Sequence, residues 1–277
     1  MAMKKILITG SSGYIGSHLC DLLQGEYEVH GLDLVEPQVE IDKFYKLDIN
    51  KPFSIEGVEF DAVVHLAALV NVGESQERPI SYYITNLNGT MNVLNKVKTK
   101  NFVFASTGAA QDCLSAYGVS KRAAEDVVRS YTKMAESDYT IFRFYNVIGT
   151  TVVKPTNPDG LFYNLIKAKD SGEFTIYGTD YERTSDGTCV RDYVHVEEIC
   201  HAIKMAIEKP ANNTECLGHG VGYSVREMAT MFQKVNDCDF DIIKGPRRDG
   251  DIEVYVLEDV SPYMKNLYTV EDLLRID

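Results

Sequence analysis

Apolar residues follow two rhythms along this chain. Short apolar runs, beginning with Ile6-Leu7-Ile8 and the interrupted stretch Val29-His-Gly-Leu32, have the form of strands buried on both faces. Further runs of this kind read as strands over Lys43–Leu47, Ala62–Leu66, Asn101–Ala105 and Thr140–Phe144. Between them lie longer stretches with helical spacing, notably Ile80–Val97 and Ala116–Ala135. Strand and helix alternate, which predicts an α/β fold of the Rossmann type: a doubly wound parallel sheet with helices on both faces. After Thr150 the rhythm changes. A loop with two Pro over 154–159 precedes shorter elements near 174–177 and 223–240. The expected organisation is a dinucleotide-binding domain over 1–150 and a smaller substrate-binding C-terminal lobe over 151–277. The stretch Val190–Lys209 reads as a strand and helix returning to the main sheet.

The first strand runs directly into Gly10, Gly13 and Gly16, and a helical pattern takes over at Tyr14. Such a turn lets Gly10 bend tightly, Gly13 approach a pyrophosphate, and Gly16 pack the helix on the strand. The helix start, with Tyr14 and Ile15, then offers free N–H groups to the phosphates. Asp33 ends the second strand, where a carboxylate can accept both ribose hydroxyls and repel a 2′-phosphate. NAD is therefore expected over NADP. Asp48 and Ile49 follow the third strand and are candidates to bracket the adenine; an acid that merely ends a strand is the plain alternative. Leu66, Ala67 and Ala68 end the fourth strand, small enough to leave room above the sheet for a ligand or for tight helix packing.

Tyr117 and Lys121 open the second long helix, one turn apart and on one face. A phenol is a poor base at neutral pH. A neighbouring ammonium and a cationic nicotinamide stabilise its phenolate and make it a general base. Ser106 and Thr107 end the preceding strand, where a hydroxyl can meet the substrate oxygen; a cap or turn is the plain alternative.

Of the 277 residues, 28 are Lys or Arg and 41 are Asp or Glu. The net charge of −13 argues against a nucleic-acid surface and makes any clustered Arg worth following. Six Cys are scattered without a CxxC or a metal-like cluster, so no metal is expected and a reducing cytoplasm fits. The apolar run after Met1-Ala-Met-Lys-Lys is only a strand long, and no segment approaches a membrane span.

These motifs together resemble the extended short-chain dehydrogenase/reductases, and most of all the UDP-glucose 4-epimerase family. The resemblance runs from Lys4 to about Tyr255. It rests on Thr9–His18, Val72-Gly-Glu-Ser75, Tyr82-Tyr83, Asn86-Leu-Asn-Gly89, Tyr117–Lys121 and Arg143-Phe-Tyr-Asn146. Most specific is Tyr177-Gly-Thr-Asp-Tyr181 leading to Asp186-Gly-Thr-Cys-Val-Arg-Asp-Tyr-Val-His195. The resemblance implies a UDP-hexose 4-epimerase with tightly bound NAD, working through a 4-keto sugar. Tyr117 would be general base and acid, Lys121 its electrostatic partner, and Thr107 with Ser106 the hydroxyl relay. Asn146, Arg191 and Arg248 would hold the UDP-sugar, Asp251 the uridine ribose, and Tyr255 would line the sugar pocket beside C2. It also implies a homodimer through the two long helices, with Tyr83, Leu87, Met91, Leu94, Val127, Val128 and Tyr131 as contact positions. A 4,6-dehydratase would need an acidic pair after Thr107, where Gly108-Ala109-Ala110 stands. A non-catalytic NAD-binding protein would be expected to have lost Tyr117 or Lys121. The links from Asp33 to Asp48 and from Thr107 to Tyr117 are shorter than in the family, as is the C-terminus. Val70 stands where the family often has Lys.

Overall fold

The computed structural model describes residues 3–248 and 251–276. The chain forms two compact units, one from the residues up to Phe144 with Cys200–Glu215, the other from Tyr145–Ile199 and from Cys216 onward.

The first unit carries a seven-stranded sheet. In spatial order its strands are Thr214–Leu217, Asp138–Phe144, Asn101–Thr107, Ala62–His65, Lys5–Thr9, Glu28–Asp33 and Lys43–Lys46. The last six pair in parallel. The central strand Lys5–Thr9 is buried on both faces, as its apolar run requires. Strand order reverses at that strand, so the chain leaves it and Ala62–His65 on opposite windings, the usual place for a ligand crevice. The helix Tyr14–Leu23 follows the first strand, and Ala116–Met134 follows Asn101–Thr107. The latter packs Ala124 and Val128 into a core shared with Leu7, Val63, Phe102, Phe104 and Ile141.

Two expectations change here. The strand Val190–His195 does not complete this sheet; it pairs with Asn146–Ile148, Gly222–Ser224 and Val254–Tyr255 in the second unit. Thr214–Leu217, shorter and only partly apolar, takes the edge position instead. The stretch 80–97 is one continuous helical run over 79–96, but it is not α-helical throughout. It is Pro79–Tyr82, a π-helical turn Tyr83–Asn88, and Gly89–Lys96.

The second unit has its own core, built on Phe162 and Leu165 of the helix Leu161–Ser171 and Phe232 of the helix Val225–Val235. The Asp186-Gly-Thr motif is structural there. Asp186 accepts hydrogen bonds from Thr188 N–H, Thr188 Oγ–H and the Ser224 hydroxyl, tying the loop to the capped start of Val225–Val235. Among the described residues no helix is long and apolar enough to cross a membrane.

Candidate active site

In the first unit the glycine turn has the form its spacing calls for. Gly10 has φ +74°, and a Cβ there would lie 2.8 Å from Ala67 N. A Cβ at Gly16 would lie 2.0 Å from Gly10 O, so only glycine lets the helix sit this close to the turn. At Gly13 a Cβ would meet only Gly10 O, at 3.2 Å, leaving open space before the N-terminus of Tyr14–Leu23. That opening suits a pyrophosphate. Asp33 is held in place by backbone N–H groups: Ser12 donates to Oδ2 at 3.0 Å, and Leu34 to Oδ1 at 2.6 Å. Asp48 similarly accepts the Asn50 N–H. Ile49 turns its side chain into the core beneath Gly89, where a Cβ would come within 2.7 Å of it, so that side chain is spent on packing.

The segment Leu66-Ala67-Ala68 is fixed by side chains that periodicity does not reveal. The Asn86 amide clamps Leu69, its Oδ1 accepting Leu69 N–H at 2.8 Å and its Nδ2 donating to Leu69 O at 3.0 Å. Nδ2 also donates to Ser120 Oγ, and Ser120 Oγ–H donates to Tyr117 O. Asn86 therefore links the loop after Ala62–His65 to the helix that carries Tyr117 and Lys121. It sits in the π-helical turn, a rare conformation concentrated at functional sites. Below it, buried His65 lies between Thr9 Oγ1 at 2.6 Å and Thr90 Oγ1 at 3.0 Å. Burial, with the nearby Lys121 charge, lowers its pKa to about 3 and keeps it neutral. The one local signal for Asn86 was the Asn-Leu-Asn-Gly motif, which carries no physical mechanism by itself.

Tyr117 and Lys121 are both buried on the helix Ala116–Met134. Ser115 caps this helix by accepting Gly118 N–H, and Gly118 has no Cβ because one would lie 2.4 Å from Ala109 O. The Tyr117 ring meets Tyr82 edge-on at 6.3 Å, and Tyr82 donates its hydroxyl proton to Glu74. Lys121 Nζ lies 4.2 Å over the Phe104 ring. Burial pushes the Tyr117 phenol up to about 12, with a hydrogen bond to Thr107 pulling the other way. Burial drives Lys121 down to about 7, against the pull of Glu125. The expected lowering of the phenol is thus not built into the protein alone; it needs added positive charge.

The two candidate hydroxyls separate. Successive strand residues face opposite sides. Thr107 is hydrogen-bonded to Tyr117, whereas Ser106 Oγ–H donates to buried Glu125 at 2.6 Å. Ser106 therefore stands in a structural network, and of the two hydroxyls it is Thr107 that faces Tyr117.

In the second unit, Val190–His195 organises the remaining candidates. Arg191 lies in register beside Tyr255, and its Nη2 is 3.6 Å from Asp251 Oδ1. Arg248 stacks its guanidinium 4.0 Å over Tyr177, and Arg247 stacks 4.3 Å over Tyr181 while bonding Asp180. Residues 249 and 250, between Arg248 and Asp251, lie outside the described residues. Asn146 Nδ2 donates to Asp192 O at 2.9 Å. Tyr255 stacks on Tyr145, ring centres 5.0 Å apart and planes 15° apart. The sequence reading missed both Tyr145 and the Arg–Tyr stacking. Two guanidinium groups, a carboxylate and aromatic faces make a surface suited to a nucleoside diphosphate.

Residues 6–217 match the model of the NAD dependent epimerase/dehydratase family. The chain is 32% identical to the UDP-glucose 4-epimerase of Lactobacillus helveticus over 295 residues, covering 92% of this chain and 88% of that protein. It is also 32% identical to the UDP-glucose 4-epimerase of Bacillus subtilis, covering 89% and 86%. Its fold superposes on the Bifidobacterium longum UDP-glucose 4-epimerase in complex with NAD+ and UDP with a TM-score of 0.86, at 26% identity over 98% of this chain and 96% of that one. The Brucella ovis UDP-glucose 4-epimerase in complex with NAD gives a TM-score of 0.87 at the same identity and coverage.

Proposed function

From its membership of the NAD dependent epimerase/dehydratase family, to which this chain belongs, we infer that it is an NAD-dependent UDP-hexose 4-epimerase. The glycine turn, Asp33 and the 66–68 segment would hold NAD, whose nicotinamide accepts a hydride and later returns it. Asp48 would serve the adenosine end.

Tyr117 takes the proton of the sugar C4 hydroxyl as that carbon is oxidised to a ketone, and gives it back when the opposite face is reduced. Thr107, bonded to Tyr117, orients the phenol toward the reacting oxygen. Lys121 supplies charge that favours the phenolate once a cationic ring adds to it. Arg191 and Arg248 would grip the diphosphate, Asp251 the uridine ribose and Asn146 the sugar-phosphate junction. Binding energy at that remote end retains the keto sugar while it turns over. The first unit thus serves as the NAD-binding domain and the second as the nucleotide-sugar lobe.

The observation that carries this reading is the burial of Tyr117 and Lys121 one helical turn apart at the start of Ala116–Met134, with Thr107 facing the phenol. Scattered free thiols support a cytoplasmic setting. Tyr255 would choose the sugar. Its ring, stacked on Tyr145, would leave room for a C2 hydroxyl and crowd an N-acetyl group. Incubation with a panel of UDP-hexoses, read by NMR, tests the function: UDP-glucose and UDP-galactose should interconvert, and no 4-epimer from any sugar would refute it. Wild type should prefer UDP-galactose over UDP-N-acetylgalactosamine by up to about a hundredfold in kcat/KM, and Tyr255→Ser should narrow that ratio.

A further inference from the structure

Glu125 is fully buried, one helical turn past Lys121 and two past Tyr117, on the same stripe of Ala116–Met134. Its carboxylate receives four hydrogen bonds. Oε1 accepts from Ser106 Oγ at 2.6 Å and Arg143 Nε at 2.8 Å; Oε2 accepts from Arg143 Nη2 at 2.6 Å and Arg129 Nη2 at 2.9 Å. Arg129 Nη2 also donates to Thr214, and its Nη1 to Asp126. Burial opposes ionisation of Glu125, yet Arg143, Ser106 and Arg129 outweigh it and hold the carboxyl below its ordinary range. A fixed anion therefore sits inside the protein, four residues from a buried amine. None of the bond-making steps above uses it.

We propose that Glu125 is a positioning residue of the reaction: its carboxylate keeps Lys121 in the ammonium form and seated against Phe104. This rests on reading Tyr117 and Lys121 as the reacting pair. On that reading, loss of one proton from the pair gives either phenolate with ammonium or phenol with amine. Only the first is productive. An anion beyond Lys121 favours the charge on Lys121 and so favours the productive arrangement. Among the neighbouring groups described above, no other supplies this anion. His65 is neutral; Tyr82 holds its proton and donates it to Glu74; Arg143 and Arg129 are cations. If Glu125 became neutral, buried Lys121 would lose the attraction that opposes its desolvation, and the amine would gain over the ammonium.

The test uses full-length protein carrying NAD, labelled at lysine Cε with ¹³C, with Lys121 assigned through Lys121→Met. In Glu125→Gln the NMR titration midpoint of Lys121 should fall by about one pH unit or more. The kcat at neutral pH should fall about tenfold with KM for the UDP-sugar unchanged. Glu125→Asp, which keeps the charge, should hold the midpoint near wild type even if it melts earlier. A Glu125→Gln midpoint equal to wild type would overturn the proposal. If that variant does not fold, Arg129→Gln decides: it makes the cluster more negative and should raise the midpoint, and no movement would overturn the proposal equally. The NMR readout needs no turnover, so failure of the epimerase reading and failure of the Glu125 role appear in separate measurements.

Discussion

At Tyr117, burial and charge pull in opposite directions. The ring is enclosed, which raises its pKa to about 12, and the groups around it must recover that loss before it can act as a base near neutrality. Tyr117→Phe removes the phenolic hydroxyl while keeping the ring contact with Tyr82. It should lower kcat by about 10²–10⁴-fold with NAD and UDP affinities nearly unchanged, as read by calorimetric titration beside a turnover assay. Wild-type turnover would reassign the base. Much at this scale was legible in the sequence. The glycines announce a backbone constraint, and the Tyr–Lys spacing is a property of any helix. What escaped was the division between Ser106 and Thr107. Adjacent hydroxyls look alike in sequence, and their roles part only because the strand sends one toward Glu125 and the other toward Tyr117.

Among elements, the π-helical turn Tyr83–Asn88 has the largest consequence. An extra residue in the turn shifts the phase of the flanking helices and presents the Asn86 amide to Leu69 and Ser120. Asn86→Ala would leave the Leu69 N–H and C=O without this partner. The expected cost is about 1–3 kcal/mol of stability, read in denaturant melts, together with weaker NAD retention, because Leu66-Ala67-Ala68 would lose its anchor. Unchanged NAD affinity would restrict Asn86 to a structural part. Periodicity gave a single helix over this stretch because a π turn hardly disturbs the count of apolar residues. The long-range bonds that favour it are invisible to such a count.

At the scale of the whole molecule, the proposed homodimer rests on a narrower face than the sequence suggested. Leu94 and Val128 are buried, and Leu87, Val127 and Tyr131 pack on the same core, so these wide apolar stripes are largely spent within the unit. The large apolar residues left exposed there are Ile80, Ile84 and Met91 on the first stretch, at 66%, 44% and 43%, and Val119 and Met134 on the second. Light scattering at micromolar concentration should give a dimer mass, and Ile84→Lys should give a monomer; a monomeric wild type would refute the face. A second global property comes from the Glu198–His219 pair, 2.7 Å apart. For His219, burial lowers the pKa, but the Glu198 bond and charge outweigh it and raise the group above its ordinary value. For Glu198, burial raises the pKa, but His219 and the Leu267 and His195 N–H groups outweigh it and lower the group. The His219 contribution is complete below about pH 6.5 and is lost as pH rises through its folded value. The Glu198 contribution is present above its unfolded value and is lost as pH falls through its folded one. The pair thus stabilises most between about pH 4.5 and 6.5. His219→Gln should lower Tm most in that window and least in alkaline buffer, and an equal loss at every pH would exclude the ion pair as the cause.

The sequence by itself determined what depends on near neighbours along the chain. The strand–glycine–helix turn, the acid after the second strand, the Tyr117–Lys121 stripe and the alternating α/β rhythm all follow from backbone sterics and repeat geometry. Only the tertiary structure decided what depends on partners distant in sequence. Thr214–Leu217 rather than Val190–His195 completes the sheet, Arg191 meets Asp251, and Glu125 gathers Ser106, Arg129 and Arg143. Hydrogen bonds and ion pairs of this kind form between whichever groups the packed core brings together, and no local pattern encodes that choice.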